Sequence, residues 1–278
     1  MFLSPISKKE IIDLFFDDTS KNILKYYLTK NLSSIPEVRK KDVLPPIRIP
    51  KEYLEIFVSQ MLNGEPAGSG NYPVDVIVGS TKLAIDISGL SISRNKNGNF
   101  KKSTGEKSLA QKFDSDNYGQ DGEDLDDLFK HQESNKIVSS FQEILLRKYA
   151  KVFKENQVKS IYIFNFIFNN EDQEIYVSVL KLDQNKIQNF SAGNISASTC
   201  VINNAIDVSY GDVKAYKSKK RLELRLNVNG LMKADCIYKI KYSFGTKTRK
   251  INFREQLEID NEILNKLKEK NPIEIIYE

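Results

Sequence analysis

The sequence contains very few of the residues on which zinc and imidazole chemistry depend. It has one histidine, His131, two cysteines and no tryptophan. A single histidine excludes a three-histidine zinc site, an HExxH metalloprotease and a Cys₂His₂ zinc finger. Any Ser-His-Asp triad would have to use His131. Cys200 and Cys236 are too few for a disulfide framework, which favours reduced thiols in a cytosolic protein.

Long hydrophobic runs are also absent. The most apolar stretch, residues 161–168, is interrupted by Asn165 and has the length of a strand. A membrane-spanning helix needs about 20 apolar residues. The first ten residues contain too short an apolar run for a signal peptide. We therefore expect a soluble, cytoplasmic protein without membrane attachment.

The charge is only mildly positive but is unevenly spread. Lys and Arg number 42 against 37 Asp and Glu, a formal net charge of +5. Acidic residues concentrate in residues 114–127, whereas the C-terminal third is rich in cations that would neutralise phosphates. A solvated basic face is the alternative interpretation. The candidate DNA-binding residues are Lys101, Lys102, Lys214, Lys217, Lys219, Lys220, Arg221 and Arg225.

The spacing of apolar residues predicts an α/β protein. Helices are expected over residues 8–32, 51–62, 135–155 and 253–270. Strands are expected over residues 73–78, 82–88, 159–168, 174–182, 205–210, 213–216, 222–228, 236–244 and 273–277. The first two strands would form a hairpin, and residues 89–134 would be irregular.

Two acidic residues occupy the hairpin. Asp75 lies at the start of the first strand and Asp86 near the end of the second, so the two can face one another. Carboxylates inside apolar strands are costly unless they are paired or bind a cation. A converging carboxylate pair is a natural site for Mg²⁺, which prefers oxygen ligands.

The hairpin sequences NYPVDVIV (residues 71–78) and LAIDIS (residues 83–88) resemble the motif of the PD-(D/E)xK nucleases. The resemblance covers about residues 51–182. It implies a restriction-endonuclease-like core, a central mixed β-sheet flanked by helices, and Mg²⁺-dependent cleavage of DNA. By this resemblance Asp75 and Asp86 would be metal ligands, the carbonyl of Ile87 a further ligand, and Glu55 an accessory acid.

The chain departs from the family at one important position. Where the motif has a lysine that orients and activates the attacking water, this sequence has Ser88. Three options follow. Lys102 or Lys107 would reach in from the next segment, the Ser88 hydroxyl would hold the water, or the site would be inactive.

Two further features have weaker interpretations. His131 would pair with Asp127 or act as a general base, but a lone loop histidine is more often solvated. The acidic run would form a metal site or imitate DNA, but it has no EF-hand spacing and a solvated loop is the simpler interpretation.

The combined prediction is a type II restriction endonuclease that cleaves double-stranded DNA by in-line attack of a Mg²⁺-activated water. Cutting both strands favours a homodimer, and the resemblance implies a cognate DNA methyltransferase acting on the same sites. Residues 1–50 would form a helical segment and a proline-rich connector, 51–188 the nuclease core, and 189–278 a basic β-rich region for recognition or dimerisation. The alternatives are a non-catalytic DNA-binding protein with a degenerate nuclease fold and an interaction module for an acidic partner.

Overall fold

The computed structural model describes residues 1–33, 51–67, 72–101, 105–110, 113, 124–169 and 174–241. Several predictions concern residues outside these ranges: most of the proline-rich connector, Lys102, most of the acidic run, the helix over 253–270 and the strand over 273–277. In the described part of the chain, no helix is both long and apolar enough to span a membrane.

Six α-helices are present in the described residues. They are α1 (Lys8–Phe15), α2 (Asp18–Ser33), α3 (Lys51–Met61), α4 (Leu125–Lys130), α5 (Ser134–Asn156) and α6 (Val228–Lys233). A short 3₁₀ helix covers Gln184–Asn189. The predicted helices over 51–62 and 135–155 are thus confirmed as α3 and α5.

In the described part of the chain, twelve strands form two sheets. The strands are β1 (Leu3–Pro5), β2 (Glu65–Pro66), β3 (Val76–Val78), β4 (Leu83–Ser91), β5 (Glu106–Ala110), β6 (Ser160–Asn169), β7 (Glu174–Leu182), β8 (Ser191–Ile195), β9 (Thr199–Asn203), β10 (Gly211–Tyr216), β11 (Arg221–Leu226) and β12 (Tyr238–Lys241). The larger sheet has the order β1-β7-β6-β4-β3-β2, with β12 also paired to β7. The smaller sheet has the order β5-β11-β10-β9-β8.

The central sheet is mixed, because β4 and β6 are parallel whereas its other strand pairs are antiparallel. Helix α5 connects this parallel pair. Such a connection is the usual one for parallel strands, which a tight turn cannot join. The chain therefore has a mixed α/β fold, as the apolar spacing predicts.

The central sheet is covered on both faces. Phe15 of α1 packs edge-to-face on Phe164 of β6, and Phe57 of α3 packs similarly on Phe166. The opposite face, which includes Ile163 and Ile167, shares a core with α5 and the smaller sheet. Strand β6 is buried almost throughout, as its continuous apolar sequence predicts.

The helix predicted over residues 8–32 is wrong in one respect, because α1 and α2 are separate. Ser7 and Glu10 form a capping box that starts α1. Asp17 then accepts hydrogen bonds from the backbone and hydroxyl of Ser20, both 2.7 Å long. This side-chain acceptor satisfies a free N–H at the start of α2, so the chain begins a new helix there.

The segment over 89–134 is not wholly irregular, because it contains β5 and α4. The partner of β5 is β11, which lies far along the chain, so local apolar spacing gives little sign of the strand.

The strand predicted over 205–210 is wrong for a local reason. Asp207 accepts a 2.8 Å hydrogen bond from the backbone of Ser209, which forms a turn.

Strand pairing crosses the boundaries between the three expected regions. From the first 50 residues, β1 pairs with β7, and beyond residue 188, β12 pairs with another part of β7. Conversely, β5 from the expected core belongs to the smaller sheet. The division into regions stays a prediction, but the sheets are not divided in the same way.

Candidate active site

The hairpin of β3 and β4 brings Asp75 opposite Asp86. Val76 pairs with Ile85, so the residues one step further along the register face each other. The backbone N–H of Asp75 donates to the Ile85 carbonyl at 2.8 Å, and its Oδ2 accepts a 2.6 Å hydrogen bond from the Ile87 N–H. Asp75 is thus attached to β4 on both sides of Asp86, as expected from the hairpin.

Lys107 reaches the same place from the smaller sheet. Its Nζ donates to Oδ1 of Asp86 at 2.7 Å and lies 3.4 Å from the carbonyl oxygen of Ile87. The side chains of Lys107 and Asp86 are only 6% and 12% exposed. A buried pair of this kind is costly to break, because the remaining charge would lack compensation.

The surroundings of Asp75 favour its protonated form. Burial, followed by the negative charge of Asp86, raises the pKa of Asp75 to about 6. The hydrogen bond from Ile87 and the charge of Lys107 partly oppose this effect. A carboxyl group whose pKa is raised in this way is stabilised either by taking up a proton or by a further cation nearby.

Glu55 lies on α3, half-buried, on the approach to this pair. Its negative charge is a smaller contribution to the raised pKa of Asp75. The structure therefore brings Glu55 within electrostatic range of the two aspartates, without a direct hydrogen bond to either among the described residues.

Ser88 points to the same face of β4 as Asp86, because side chains two apart share a face. Its hydroxyl donates to Oδ1 of Asn165 at 2.7 Å. Asn165 in turn pairs across β6 and β7 with Ser178, whose buried Oγ has no hydrogen-bond partner among the described residues. The hydroxyl hydrogen of Ser88 therefore points to Asn165. Ser88, Asn165 and Ser178 lie side by side on neighbouring strands and form a buried polar row in the central sheet.

Lys148 and Tyr149 on α5 also lie near the carboxylates. The apolar spacing places Tyr149 on the buried face of this helix, but it predicts a role at the site for neither residue. Lys148 Nζ donates to the Leu109 carbonyl on β5 at 2.8 Å. Burial lowers the pKa of Lys148, and the charges of Asp86 and Asp75 oppose that effect. Burial raises the pKa of Tyr149, whose hydroxyl has no hydrogen-bond partner within the described ranges. The sequence indicates a role for Lys148 only in that this lysine adjoins the apolar face of its helix.

Most of the candidate DNA-binding cations in the smaller sheet already have acidic partners. Lys219 bridges Glu106 and Glu223 at 2.7 and 2.9 Å, and Arg225 also pairs with Glu106. The remaining ion pairs are Lys214 with Asp212 at 3.3 Å, Lys217 with Asp126 at 4.0 Å and Lys220 with Asp124 at 3.1 Å. Lys101 and Arg221 are exposed and form no ion pair with a described residue.

His131 ends α4 and is exposed, with its Nδ1 2.9 Å from the Asp127 carbonyl oxygen. This contact orients the ring locally. His131 forms no hydrogen bond with Asp75, Asp86 or Lys107 among the described residues.

The oxygen atoms at the hairpin suit a hard divalent cation. They comprise the carboxylates of Asp75 and Asp86 and the carbonyl of Ile87, the kinds of ligand that Mg²⁺ accepts while keeping several waters. Burial and the charge of Asp86 raise the pKa of Asp75, and a cation bound beside Asp75 would oppose both effects. Within the described ranges, no group of three or more His, Cys, Asp or Glu side chains gathers as a metal cluster, so the remaining ligands would be the carbonyl and water.

Comparisons of the chain with protein-family models, with curated proteins and with solved structures find no match. The geometry of the hairpin is therefore the basis for assigning a function.

Proposed function

We propose that the chain is a Mg²⁺-dependent endonuclease that hydrolyses phosphodiesters of double-stranded DNA. The observation that carries the proposal is the 2.7 Å contact of Lys107 Nζ with Asp86. It supplies an ammonium group beside the carboxylate pair, although the motif position itself is Ser88. Of the three options for the missing lysine, delivery of Lys107 from another strand agrees best with this contact.

The order of elements also supports a restriction-endonuclease-like core. Helix α3 precedes the β3–β4 hairpin, and α5, β6 and β7 follow it. The family resemblance implies the same order. The parallel pairing of β4 with β6 places the strand that carries Asp86 in the interior of the central sheet.

The residues have distinct roles in this proposal. Asp75, Asp86 and the carbonyl of Ile87 would hold Mg²⁺, with Glu55 as an accessory acid. Mg²⁺, when bound, lowers the pKa of a coordinated water and offsets phosphate charge. Lys107 would orient the attacking water and stabilise the charge that develops on the phosphate. The water oxygen attacks phosphorus as the bond to the 3′ oxygen breaks, leaving a 5′-phosphate and a 3′-hydroxyl.

Biological partners follow from this activity. A homodimer with two-fold symmetry would present one site to each DNA strand. A type II restriction enzyme would work in the cytoplasm, where its DNA substrate is. It would act with a DNA methyltransferase that modifies the same sites. Among the described cations, Lys101 and Arg221 are the best placed to contact phosphates, because the other candidates are engaged with carboxylates.

Digestion of mixed-sequence DNA with Mg²⁺ tests the proposal. We expect discrete fragments from the wild-type protein and a loss of about 100-fold or more in rate for Asp75→Asn and Asp86→Asn, because each removes a charged ligand. Asp13→Asn, which changes an exposed residue of α1, is the control and should retain the activity.

Absence of cleavage with every divalent cation tried would overturn the enzyme proposal. If the protein then still bound DNA with a steep dependence on salt, the degenerate-fold alternative would replace it. DNA affinity that did not change with salt would favour the acidic-partner alternative.

A further inference from the structure

The ammonium group of Lys107 contacts two of the three residues assigned above to the divalent cation. Its Nζ is 2.7 Å from Asp86 Oδ1 and 3.4 Å from the Ile87 carbonyl oxygen. Its contact with the carboxylate is a buried salt bridge, with the lysine side chain 6% exposed. In this arrangement the ammonium itself serves as the cation of the site.

We propose that Lys107 is an internal counter-ion that competes with the divalent cation for Asp86 and Ile87, so that cation and substrate phosphate bind cooperatively. The inference rests on the proposed function and adds a means of regulation to the same site. Without substrate, Lys107 compensates Asp86 and keeps the affinity for divalent cations low. With substrate, the phosphate offers the ammonium another anion.

The charges near the hairpin explain the expected sign of this coupling. Asp86 and Lys107 compensate each other, and removing either partner from a buried pair leaves an uncompensated charge. A divalent cation at the same oxygens would lie close to the ammonium, and like charges at that separation repel strongly where water is scarce. A phosphate anion beside Lys107 relieves this repulsion. Each ligand therefore raises the affinity for the other.

Lys148 provides a matched control because it carries the same charge close by. Its Nζ donates to the Leu109 carbonyl, and among the described residues it forms no hydrogen bond or ion pair with Asp86 or Ile87. Substitution by methionine at either position removes one positive charge near the carboxylates and keeps a side chain of similar length. Only the substitution at Lys107 also releases oxygen atoms assigned to the cation.

Calorimetric titration with Mg²⁺ alone, at pH 7.5 and without DNA, tests the competition. We expect Lys107→Met to bind Mg²⁺ at least about 10-fold more tightly than wild type, a gain of about 1.4 kcal/mol. Lys148→Met should gain less than about 3-fold, about 0.7 kcal/mol. Lys107→Arg, which keeps the charge, should bind no more tightly than wild type.

The outcomes separate this inference from the proposed function. Equal gains for Lys107→Met and Lys148→Met would show an effect of net charge and overturn the competition. Wild-type affinity in Lys107→Met would overturn it too, and leave the nuclease proposal intact. Failure of every variant and of the wild type to bind Mg²⁺ would overturn both.

A measurement on the wild-type protein decides the matter if Lys107→Met does not fold. Lysine-ammonium ¹⁵N NMR, with Lys107→Arg used for assignment, follows Lys107 during a Mg²⁺ titration. We expect the Lys107 resonance to shift and its hydrogen exchange to accelerate. The resonance and the hydrogen exchange of Lys148 should stay unchanged. Mg²⁺ binding without any change at Lys107 would contradict the competition.

Discussion

Lys107 donates a 2.7 Å hydrogen bond to Asp86 although the two residues lie on strands of different sheets. Asp86 belongs to β4 in the centre of the larger sheet, and Lys107 belongs to β5 at the edge of the smaller one. The candidate active site is therefore shared between the sheets. Its carboxylates come from one hairpin and its ammonium comes from a separate element.

We predict that the lysine needed for cleavage is Lys107 and that Ser88 contributes little. Lys107→Met should lower kcat for DNA cleavage about 100-fold or more, because it removes the charge beside the attacked phosphate. Ser88→Ala should change kcat less than about 5-fold, since its hydrogen is donated to Asn165. Lys9→Met, at an exposed position of α1, is the control for loss of a lysine. A larger loss in Ser88→Ala than in Lys107→Met would contradict the assignment.

We predict that Asp75 makes the native state less stable as the pH rises from about 4 to about 6. Its native pKa of about 6 exceeds the ordinary 3.8, so the native state binds its proton more tightly than the unfolded state does. Its contribution favours folding below pH 4 and is lost as the pH passes 6. Relative to wild type, Asp75→Asn should gain about 1–3 kcal/mol in unfolding free energy between pH 4 and pH 8.

Urea unfolding of wild type, Asp75→Asn and Asp13→Asn at both pH values measures this gain. The comparison between variants cancels the titration of groups that do not interact with Asp75. Asp13→Asn should show no such pH-dependent difference. A constant difference between Asp75→Asn and wild type from pH 4 to pH 8 would show that the native pKa of Asp75 is ordinary.

We predict opposite effects for two neighbours in the buried polar row. The Oγ of Ser178 is buried and has no hydrogen-bond partner in the described part of the chain, so Ser178→Ala should leave the unfolding free energy unchanged or raise it by up to about 1 kcal/mol. Asn165→Ala should lower it by about 1–3 kcal/mol, because the Ser88 hydroxyl loses its acceptor. Chemical denaturation measures both, and equal losses would mean that Ser178 has a bonding role in solution.

We predict that the paired cations of the smaller sheet stabilise the fold and that the exposed Arg221 contributes to DNA affinity. Lys219→Met should lower the unfolding free energy by about 1–2 kcal/mol, because Glu106 and Glu223 lose a shared partner. Arg221→Met should leave stability within about 0.5 kcal/mol. It should also reduce the slope of log affinity against log salt by about 0.9, the value of one phosphate contact.

Fluorescence anisotropy of a labelled duplex between 50 and 200 mM salt measures these slopes, a range over which phosphate contacts change affinity strongly. The Lys219→Met slope should equal that of the wild type. A reduction in Lys219→Met as large as in Arg221→Met would mean that Lys219 leaves its carboxylates to bind DNA.

Local features of the fold and site were predictable from the sequence, and non-local ones were not. The position of Asp75 opposite Asp86 follows from a short hairpin, in which the turn determines the register. The proximity of Lys107 depends on the pairing of β5 with β11 and on the packing of two sheets. No local periodicity encodes that pairing, so the sequence left several sources for the ammonium open.

Charge counts also could not show how the basic residues are used. Glu106 and Asp124 precede their cationic partners in the smaller sheet by roughly a hundred residues, yet they form ion pairs with Lys219, Arg225 and Lys220. A surplus of positive charge in the C-terminal third therefore did not imply a free basic surface. Similarly, Lys148 is an ordinary lysine in the sequence of α5 and acquires its surroundings only through tertiary packing.

The pairing of β5 with β11 has a consequence for biosynthesis. A nascent chain that has just reached residue 188 already contains Asp75, Asp86 and Lys107, but it lacks the Arg221–Leu226 strand beside which β5 lies. We expect the ammonium to be held at the carboxylates only after that strand has left the ribosome. If the chain is the proposed nuclease, a growing polypeptide would thus not cleave nearby DNA before residues 221–226 have left the ribosome.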